Sequence, residues 1–443
     1  MKILHALGWY FPKNLGGTEI YVKALAERQR SLEHQVHVAV PSPGSTRAEL
    51  LEYEGIPVLR YPTPSEPTRN EAQGRIAARG TEVFRDYLDT WRPDVLHVHT
   101  FTTGLGVHEL ERARELDIKT VATNHLGSVG FLCQRGTLMR WGEYPCDGLV
   151  EELKCAACEL QHRGLPKSLA WTASYLGPVS GPLANLPGKL GTALGMSDLI
   201  AHNRTRQRRV LSVLDRFVLL SRAASDVVVK NGGDPKKLAL NYLGLSHQHY
   251  QPKPLPEEQP TTAPVTVGYL GRFATLKGVL DFARALASLP ADVPLTAEFR
   301  GPIDDDGSAS LRRHIESIVS GDTRIRFAPV APPEQVPTVL ADYDALCVPS
   351  VTFEGGPTVV SEAHAVGTPV IGTRIGAMPE IIADGVNGIL VEPGDWRALA
   401  VVLADIATRP AATIDAWRRA LPKPRTMDDV AADYETLYEE IAR

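Results

Sequence analysis

Short apolar runs alternate with amphipathic stretches along the first 125 residues of the chain. An apolar run at Ile3 to Leu7 is followed by a helix-like stretch at Ile20 to Leu32, and further apolar runs lie at Val36 to Val40, Val95 to Val98 and Thr120 to Thr123. Buried strands that alternate with amphipathic helices are typical of βαβ units. The pattern therefore predicts a parallel sheet covered by helices.

A second alternation of the same kind begins at Val265 to Leu270 and continues to the end of the chain. It predicts strands near Leu295 to Arg300, Ile325 to Ala328, Ala345 to Val348 and Pro369 to Gly372, and helices near Val279 to Leu286, Leu311 to Val319 and Pro357 to Ala365. The proline-rich segment Gln251 to Pro264 between the two alternations has the composition of a linker. We predict an α/β fold of two doubly wound, Rossmann-like domains that face each other across a cleft.

The predicted boundaries follow from these composition changes. The first domain spans residues 1–250 and contains a cysteine-rich insertion at about residues 130–165, the linker spans 251–264, and the second domain spans 265–424. Within the first domain, a helix is expected from Asn203 to Leu214 and a strand from Phe217 to Leu220.

Composition narrows the class of protein. The 47 Lys and Arg residues against 52 Asp and Glu leave a net charge of -5, and 43% of residues are hydrophobic. These values are typical of soluble globular chains, and they disfavour disorder and nucleic-acid binding. The longest uncharged run, Ser168 to Gly188, contains three prolines, so no membrane-spanning helix is expected. We interpret the apolar run that starts at Ile3 as a buried strand rather than a signal peptide.

One motif combines two glutamates with a predicted helix start. In the stretch Phe353 to Glu362, Glu354 precedes Gly355, Gly356, Pro357 and Thr358, and Glu362 follows eight positions after Glu354. Proline favours the first helical position, and glycines allow a ligand to approach the backbone, so the helix start is a candidate anion site. The alternative is a Gly-Gly turn flanked by two solvated glutamates.

Two further strand ends carry candidate groups. Arg272 and Lys277 follow the first strand of the second domain. A guanidinium fork and an ammonium at this position can neutralise a diphosphate. The alternative is that both side chains are simply solvated. Gly16 and Gly17 follow the first strand of the chain and precede a helix expected to open at Ile20. This glycine pair lacks the full dinucleotide fingerprint, so a plain loop is the alternative.

Two histidines occupy similar positions in the first domain. His125 follows the run Thr120 to Thr123, and His99 follows Val98. A single histidine is more often structural than catalytic, but two histidines at neighbouring strand ends favour a functional role.

These motifs, taken in their order along the chain, resemble glycosyltransferase family 4, whose members are retaining enzymes with the GT-B architecture. The resemblance covers most of the chain and is strongest from Val265 to Asp395, where the segments Gly367 to Val370 and Gly385 to Gly388 follow the two motifs of the second domain. It implies an enzyme that moves a sugar from a nucleotide-diphosphate sugar to a glycan or lipid-linked acceptor. The stretch Asn241 to Ser246 departs from the turn that family members usually carry at the end of the first domain.

The resemblance also implies roles for the motif residues. Arg272 and Lys277 would hold the diphosphate, Glu362 would contact the ribose, and Glu354 with the backbone from Gly355 to Thr358 would hold the donor sugar. His125 matches the family's histidine near the sugar, and the Gly16–Gly17 loop matches its glycine loop near the phosphates. No catalytic metal is expected. The stretch from Met427 to Ile441 would be a helix that crosses back to the first domain, within a final segment at 425–443.

Four cysteines depart from the family pattern. Cys133, Cys146, Cys155 and Cys158 are separated by twelve, eight and two residues. Five cysteines in all are too few for a secreted disulfide framework, which favours a cytoplasmic location. The cluster therefore predicts a structural metal site, with zinc as the first choice and a [4Fe-4S] cluster as the alternative. Free thiols are the third possibility.

A basic amphipathic stretch lies beyond the cysteines. Its cations are Arg204, Arg206, Arg208, Arg209 and Arg216. Such a stretch suits peripheral contact with the inner membrane surface or a lipid-linked acceptor, and it equally suits a helix packed on the first domain. Two other functions stay open: a synthase that uses a soluble acceptor to make a disaccharide or glycoside, and a non-catalytic, metal-dependent binding protein on a transferase scaffold.

Overall fold

The computed structural model describes residues 1–12, 16–125, 133–177, 186, 188–245, 250–254 and 263–443. These residues divide into two compact units. The first unit contains Met1–Tyr242 together with Met427–Arg443, and the second contains Leu243–Thr426.

The strands of the described residues form one sheet in each unit and one small hairpin. The strands are β1 (Lys2–Ala6), β2 (Gln35–Pro43), β3 (Glu49–Tyr53), β4 (Ile56–Thr63), β5 (Val95–Val98), β6 (Lys119–Asn124), β7 (Met139–Arg140), β8 (Tyr144–Pro145), β9 (Arg216–Leu219), β10 (Leu238–Leu240), β11 (Val265–Leu270), β12 (Leu295–Arg300), β13 (Ile325–Ala328), β14 (Ala345–Val348), β15 (Val370–Thr373) and β16 (Gly388–Val391).

Helices cover the sheets and complete the units. The α-helices are α1 (Gly17–Ser31), α2 (Arg69–Ala72), α3 (Glu82–Trp91), α4 (Val107–Glu115), α5 (Glu152–His162), α6 (Lys167–Leu176), α7 (Gly188–Leu194), α8 (Met196–Val213), α9 (Arg222–Lys230), α10 (Val279–Ala287), α11 (Asp306–Ile318), α12 (Val336–Ala341), α13 (Thr358–Ala365), α14 (Met378–Ile381), α15 (Trp396–Thr408), α16 (Ile414–Arg419) and α17 (Met427–Ala442). None of these described helices is long and apolar enough to cross a membrane.

The first unit contains an eight-stranded sheet in the order β10-β9-β6-β5-β1-β2-β4-β3. All neighbours pair in parallel except β3 and β4, which form an antiparallel edge pair. The chain leaves β1 toward β2 on one side and returns to β5 on the other. The strand order therefore reverses between β1 and β5, and in open α/β sheets ligands bind at the carboxyl ends of strands flanking such a point.

The second unit contains a six-stranded, wholly parallel sheet in the order β13-β12-β11-β14-β15-β16. Its main core packs α10 and α15 against the strands through side chains such as Phe282, Phe299 and Leu403, all of them buried. The strand order of this sheet reverses between β11 and β14. This reversal marks the corresponding ligand-binding edge of the second unit.

The segment from β7 to α8 in the first unit has a small hydrophobic core of its own. The β7–β8 hairpin is followed by α5, α6, α7 and α8, and the buried side chains include Trp141, Ala157, Leu160, Met196 and Ile200. The helix expected from Asn203 begins seven residues earlier, at Met196, because the apolar face of α8 extends into this core.

The C-terminal helix α17 packs on the first unit. The Tyr21 hydroxyl of α1 lies 3.1 Å from the Tyr434 hydroxyl of α17. The amide of Asn241 donates a hydrogen bond to the Val430 carbonyl at 3.1 Å. Residues from the two ends of the chain therefore share one core.

Candidate functional site

A cavity of about 220 Å³ lies at the carboxyl ends of β11 and β14 in the second unit. Residues that line it include Gly271, Lys277, Ser350, Glu354, Pro357 and Thr358. The cavity is therefore at the reversal of strand order, where the topology of a doubly wound sheet places ligands.

Lys277 and Glu354 form an ion pair at this cavity. The Lys277 Nζ lies 2.7 Å from the Glu354 Oε1, and the Ser350 hydroxyl donates to the same carboxylate oxygen at 2.7 Å. Glu354 is 8% exposed, whereas a third of the Lys277 side chain is accessible. The carboxylate is thus held by two donors, while part of the Lys277 side chain stays accessible.

The backbone around this pair is closely packed. Lys277 ends a short 3-10 helix, and Gly278 follows with a left-handed φ of 66°. A β-carbon on Gly376, whose φ is 58°, would lie 2.3 Å from the Glu354 carbonyl oxygen. The N–H of Ala377 donates to that same carbonyl at 2.8 Å. Both loops therefore depend on glycine where the backbone passes close to other backbone atoms.

The start of α13 borders the cavity. Pro357 is the N-cap with a φ of -69°, so the helix begins at Thr358, one residue later than predicted. Pro357, Thr358 and Val359 all line the cavity. The first-turn N–H groups of a helix have no partner within the helix and carry a partial positive charge, so this border suits an anion.

The other predicted donor residues of the second unit lie outside the cavity lining. Arg272 is exposed. Glu362 lies on α13, and its Oε1 accepts a hydrogen bond from the Tyr250 hydroxyl at 3.2 Å. Burial, together with Glu362, raises the pKa of Tyr250 above its ordinary value. Gly355 and Gly356 lie in the loop before α13, and Gly356 has a φ of 144°.

In the first unit, His99 and His125 come together at the ends of β5 and β6. The His99 Nδ1 lies 3.3 Å from the His125 Nε2. The Tyr21 ring packs edge-on against His125, with 4.8 Å between the ring centroids. Burial lowers the pKa of His125 to about 4, so its imidazole is neutral at pH 7.

The glycine loop opens α1. Gly16 is the N-cap and Gly17 is the first residue of the helix, which therefore starts three residues earlier than expected. A β-carbon on Gly16 would lie 2.5 Å from a carboxylate oxygen of Glu19, whereas one on Gly17 would meet nothing within 4 Å. Residues 13–15, the remainder of this loop, lie outside the described residues.

The predicted cysteine site is not supported by the structure. Among the described residues, only His5, His97 and His99 bring three potential metal-ligand atoms within 4.8 Å of one another. No cysteine belongs to this group. All the cysteines are free, and the Cys158 Sγ accepts a hydrogen bond from the Trp141 N–H at 3.3 Å. Burial raises the pKa of the Cys155 thiol to about 11.

The basic stretch on α8 is largely paired within the first unit. Arg209 makes two contacts with Glu111, at 2.6 and 2.8 Å. Arg206 donates to the Gln73 carbonyl at 3.0 Å, and burial lowers its pKa. These contacts favour the packed-helix interpretation of the stretch over the lipid-docking one.

Several site residues were missed by the sequence analysis. Ser350 lies two residues beyond β14, so the rule of carboxyl strand ends would have found it. Tyr250 and Gly376 carry no local signal, because their roles depend on contacts with Glu362 and Glu354. His5 and His97 lie inside strands, where they resemble ordinary core positions.

The whole chain has the GT-B fold of two Rossmann-like domains, which confirms the predicted fold class. The structure is similar to that of sucrose-phosphate synthase from Thermosynechococcus elongatus, with a TM-score of 0.64, 17% identity and coverage of 100% of this chain and 99% of that one. It is also similar to Anabaena HepE in complex with UDP, with a TM-score of 0.64, 15% identity and coverage of 99% and 100%. At such identities, the likeness concerns the fold alone.

Each unit matches one sequence family. Residues 16–174 match the family described as "Glycosyl transferase 4-like domain". Residues 254–419 match the family described as "Glycosyl transferases group 1". The first match lies within the first unit, and the second match lies within the second.

Similar curated proteins include two transferases. D-inositol 3-phosphate glycosyltransferase of Corynebacterium glutamicum (strain R) is 32% identical over 183 residues, which are 39% of this chain and 43% of that protein. MMP alpha-(1->4)-mannosyltransferase of Mycolicibacterium hassiacum is 26% identical over 246 residues, 54% of this chain and 57% of that protein. The chain spans about half the length of these curated relatives.

Proposed function

We propose that this protein is a retaining glycosyltransferase that moves a sugar from a nucleotide-diphosphate sugar to a glycan or lipid-linked acceptor. One observation carries the proposal: the Lys277–Glu354 pair and the start of α13 line one cavity at the strand-order reversal of the second unit. The names of the curated relatives and the UDP in the HepE complex agree with this assignment.

The reaction needs positive charge where the diphosphate departs. As the bond between the sugar and the phosphate breaks, the sugar becomes oxocarbenium-like and negative charge grows on the phosphate oxygens. We assign Lys277 and the N–H groups of the α13 start to that charge, with Arg272 as a second cation. Their positions are fixed before the reaction, so little reorganisation opposes the charge stabilisation.

The remaining roles follow from what each group can accept or donate. Glu354 and the backbone from Gly355 to Thr358 would bind hydroxyls of the donor sugar, and Glu362 would accept from the ribose hydroxyls. In the first unit, His125 and the Gly16–Gly17 loop would contact the sugar and the phosphates. Glu354 also bonds Lys277, so sugar recognition and diphosphate recognition share one ion pair.

Retention of the anomeric configuration is part of the proposal. The acceptor hydroxyl would attack on the face from which the diphosphate leaves, forming the new carbon–oxygen bond as the old one breaks. A phosphate oxygen of the leaving group would take the hydroxyl proton. Measuring the configuration of the product by NMR tests this step, and an inverted product would contradict it.

A nucleotide panel tests the donor site. UDP, GDP, ADP, TDP and CDP would each be added to the protein, since a ligand that binds only the folded state raises the melting temperature. We expect one nucleotide to stabilise the protein, and we expect Lys277→Ala to abolish that shift. Lys423→Ala, which removes an exposed lysine of the same unit, should keep it. No shift with any nucleotide would overturn the proposal.

The acceptor is tested separately. Transfer that requires a lipid-linked acceptor supports the proposed class, whereas efficient transfer to a free sugar supports the soluble-acceptor synthase. Binding to vesicles containing anionic lipid tests the proposed peripheral membrane contact on the cytoplasmic side. Because Arg206 and Arg209 are engaged within the first unit, we do not expect these two side chains to supply such a contact.

We further propose that the four cysteines bind a structural metal, zinc or a [4Fe-4S] cluster. The support is their spacing, the packing of Cys155 and Cys158 against one small core, and the electrostatic effect of Cys133, Cys146 and Cys158 on the Cys155 thiol. Metal analysis of the purified protein tests this, with Cys155→Ser as the variant that should lose the metal. Protein without bound metal, and with a melting temperature unaffected by added zinc or iron, would overturn it.

A further inference from the structure

Another cavity, of about 90 Å³, is lined entirely by residues of the first unit. Three segments enclose it: residues 71–77 around the end of α2, residues 101–109 between β5 and the first turn of α4, and residues 203–210 on α8. Ile76, one of the lining residues, is 51% exposed, so the cavity reaches the surface beside it. Phe101 follows His99 by two residues, which places the cavity at the carboxyl end of β5.

Polar atoms without a partner surround this cavity. The Thr102 Oγ1, the His108 Nε2 and the Glu109 Oε1 are all buried, and none of them makes a hydrogen bond to another described residue. All three residues line the cavity. A buried polar atom without a partner costs free energy, and such atoms are rare in folded proteins. Three of them around one cavity therefore indicate a polar occupant.

Glu109 offers one of its two carboxylate oxygens to this occupant. Its Oε2 accepts a hydrogen bond from the Gly106 N–H at 2.8 Å, at the start of α4. The side chain is 3% exposed, and burial raises its pKa. A ligand hydroxyl that donates to Oε1 would offset the cost of burying this carboxylate.

Arg206 brings a buried cation to the same cavity. One of its N–H groups donates to the neutral Gln73 carbonyl at 3.0 Å, and a guanidinium has five N–H donors in all. Glu71 also lines the cavity, but its two oxygens accept from the Arg79 Nε at 2.9 Å and from the Thr68 N–H at 2.7 Å. The polar groups left for a ligand are therefore those of Arg206 together with the three unpartnered atoms.

A hydroxyl-rich ring matches these groups better than an anion does. Arg206 would attract an anion, but Glu109 would repel it. Each hydroxyl can both donate and accept, so neighbouring hydroxyls can donate to Glu109 and accept from Arg206. Phe101 and Leu105 supply apolar lining for the C–H groups of a ring. One water-sized group needs about 15 Å³ of such volume, so the cavity has room for about six, as many oxygens as a hexose carries.

We propose that this cavity binds a sugar unit of the acceptor through hydrogen bonds to Thr102, Glu109 and Arg206. This assignment rests on the proposed function and adds the chemical class of the acceptor, which is a carbohydrate. A ring of the same size without hydroxyls would leave the polar atoms of the cavity unpaired and would bind poorly.

Thr102→Val is the sharpest test, because valine has the same shape and the described part of the chain gives the Thr102 hydroxyl no partner. The Thr102 N–H bond to the Leu105 carbonyl does not depend on the side chain. The free protein therefore loses no hydrogen bond, and its Tm should stay the same or rise. Affinity for the sugar preferred by the wild type should fall about tenfold.

The affinities would be measured by NMR titration with glucose, mannose, galactose and N-acetylglucosamine, with cyclohexanol as the ring that lacks most hydroxyls. We expect at least one of the four sugars to bind and cyclohexanol to bind far more weakly. If none of the sugars binds, the proposal is overturned. A lower Tm with unchanged sugar affinity in Thr102→Val would show a structural hydroxyl and overturn it as well.

Glu109→Gln tests the carboxylate. Glutamine keeps one oxygen for the Gly106 N–H and replaces the other by an NH₂ group, which donates instead of accepting. We expect the affinity for the sugar to fall about tenfold or more. Glu115→Gln, at an exposed position of the same helix, should bind the sugar as the wild type does. Equal affinities in the two variants would remove Glu109 from the site.

Two further measurements identify the cavity and the ligand. Lys277→Ala should leave sugar binding unchanged, because Lys277 lines the cavity of the second unit. Loss of sugar binding in that variant would place the sugar in the second unit and overturn the proposal. Inorganic phosphate that displaces the sugar from the wild type and binds more weakly to Thr102→Val would show that the cavity is an anion site instead.

Activity separates this assignment from the proposed function. If no donor gives transfer while sugar binding depends on Thr102, the proposed function fails and the cavity remains a sugar site. If transfer proceeds with wild-type kcat and acceptor KM in both Thr102→Val and Glu109→Gln, the acceptor cavity fails alone.

Discussion

In the second unit, the chemically important side chains at the cavity come from two short segments, one after β11 and one after β14, and they are charged and partly accessible. In the first unit, the histidines come from three strands, and their partners come from helices at both ends of the chain. These groups are buried and neutral. One site is suited to binding anionic phosphates, and the other to orienting an uncharged hydroxyl.

The two sites differ in the contacts that hold their side chains in position. Lys277 and Glu354 fix one another directly, and the loop backbones hold both through close contacts at Gly278 and Gly376. The histidine rings instead contact one another, with the His5 Nδ1 2.9 Å from the His99 Nε2 and the His99 Nδ1 3.3 Å from the His125 Nε2. Damage to the second site should therefore stay local, while damage to the first should spread through the network.

Lowering the pH should destabilise the first unit more than the second, and this is the largest effect that we expect. Burial lowers the folded-state pKa of His5 and His125 from 6.5 to about 4, and it lowers the pKa of His97 and His99 well below 6.5. Below pH 6.5 the unfolded chain binds protons that the folded unit does not. The free energy of unfolding therefore falls as pH falls from 6.5 to 4, by about 1.4 kcal/mol per pH unit for each such histidine.

Amide hydrogen exchange, corrected for its intrinsic pH dependence, measures the opening free energy of each unit separately. Among the described histidines of the second unit, His364 is the one with a lowered pKa, at about 4. We expect the opening free energy of the first unit to decrease more steeply between pH 6.5 and pH 5 than that of the second. Equal slopes in the two units would contradict the neutral network.

Glu354→Gln should damage transfer while leaving the fold intact. The substitution keeps the side-chain volume, removes the charge that faces Lys277, and weakens the contact proposed for the donor sugar. We expect kcat/KM to fall about 10² to 10³-fold, in the range observed for losing one oriented transition-state contact. Nucleotide binding should persist because Lys277 remains.

The matched control is Glu334→Gln, which neutralises an exposed glutamate of the same unit. It should retain full kcat/KM with the same donor and acceptor. Wild-type activity in Glu354→Gln would remove Glu354 from the proposed machinery. A large drop in melting temperature would instead show that the ion pair has a structural role.

The sequence predicts the second site better than the first, for a physical reason. Alternating apolar and amphipathic stretches indicate parallel sheets, and polar residues that follow such strands lie at the ligand-binding edge. Arg272, Lys277 and Glu354 all follow strands, so position alone identified them as candidates. Their pairing did not follow from position, because 77 residues separate Lys277 from Glu354 and the contact requires β11 and β14 to be neighbours.

The contacts among the buried histidines could not be predicted from sequence patterns. His5 and His97 lie inside apolar strands, and Gln29 lies on an amphipathic helix, where a polar residue is ordinary. Their partner Tyr438 lies 341 residues beyond His97, on the C-terminal helix. The antiparallel edge strand β3 was missed too, because its exposed Leu50 and partly buried Leu51 show no clean alternation.

Gly376→Ala should destabilise the second unit more than Gly385→Ala, a substitution at another glycine with a positive φ. Its φ of 58° disfavours any β-carbon, and that carbon would also lie 2.3 Å from the Glu354 carbonyl oxygen. We expect a loss of about 2 kcal/mol or more in the free energy of unfolding, measured by urea titration. Gly385→Ala carries the same type of strain, with a φ of 74° and nothing within 4 Å, and should cost about 1 kcal/mol. Equal losses would show that contact with the Glu354 loop contributes nothing.

Tyr434→Phe should give the smallest effect, and it tests whether α17 belongs to the histidine network. The Tyr434 hydroxyl lies 2.7 Å from the Thr123 hydroxyl, which in turn bonds His97. Removing it should lower the free energy of unfolding by about 1 to 2 kcal/mol, because the hydroxyl also lies 3.1 Å from the Tyr21 hydroxyl and two buried hydrogen bonds are lost. Tyr144→Phe, at a tyrosine that is 47% exposed, should leave stability unchanged. If the network orders itself as a set, Tyr434→Phe should also shift the nitrogen signals of His97, and unchanged signals would confine the role of α17 to packing.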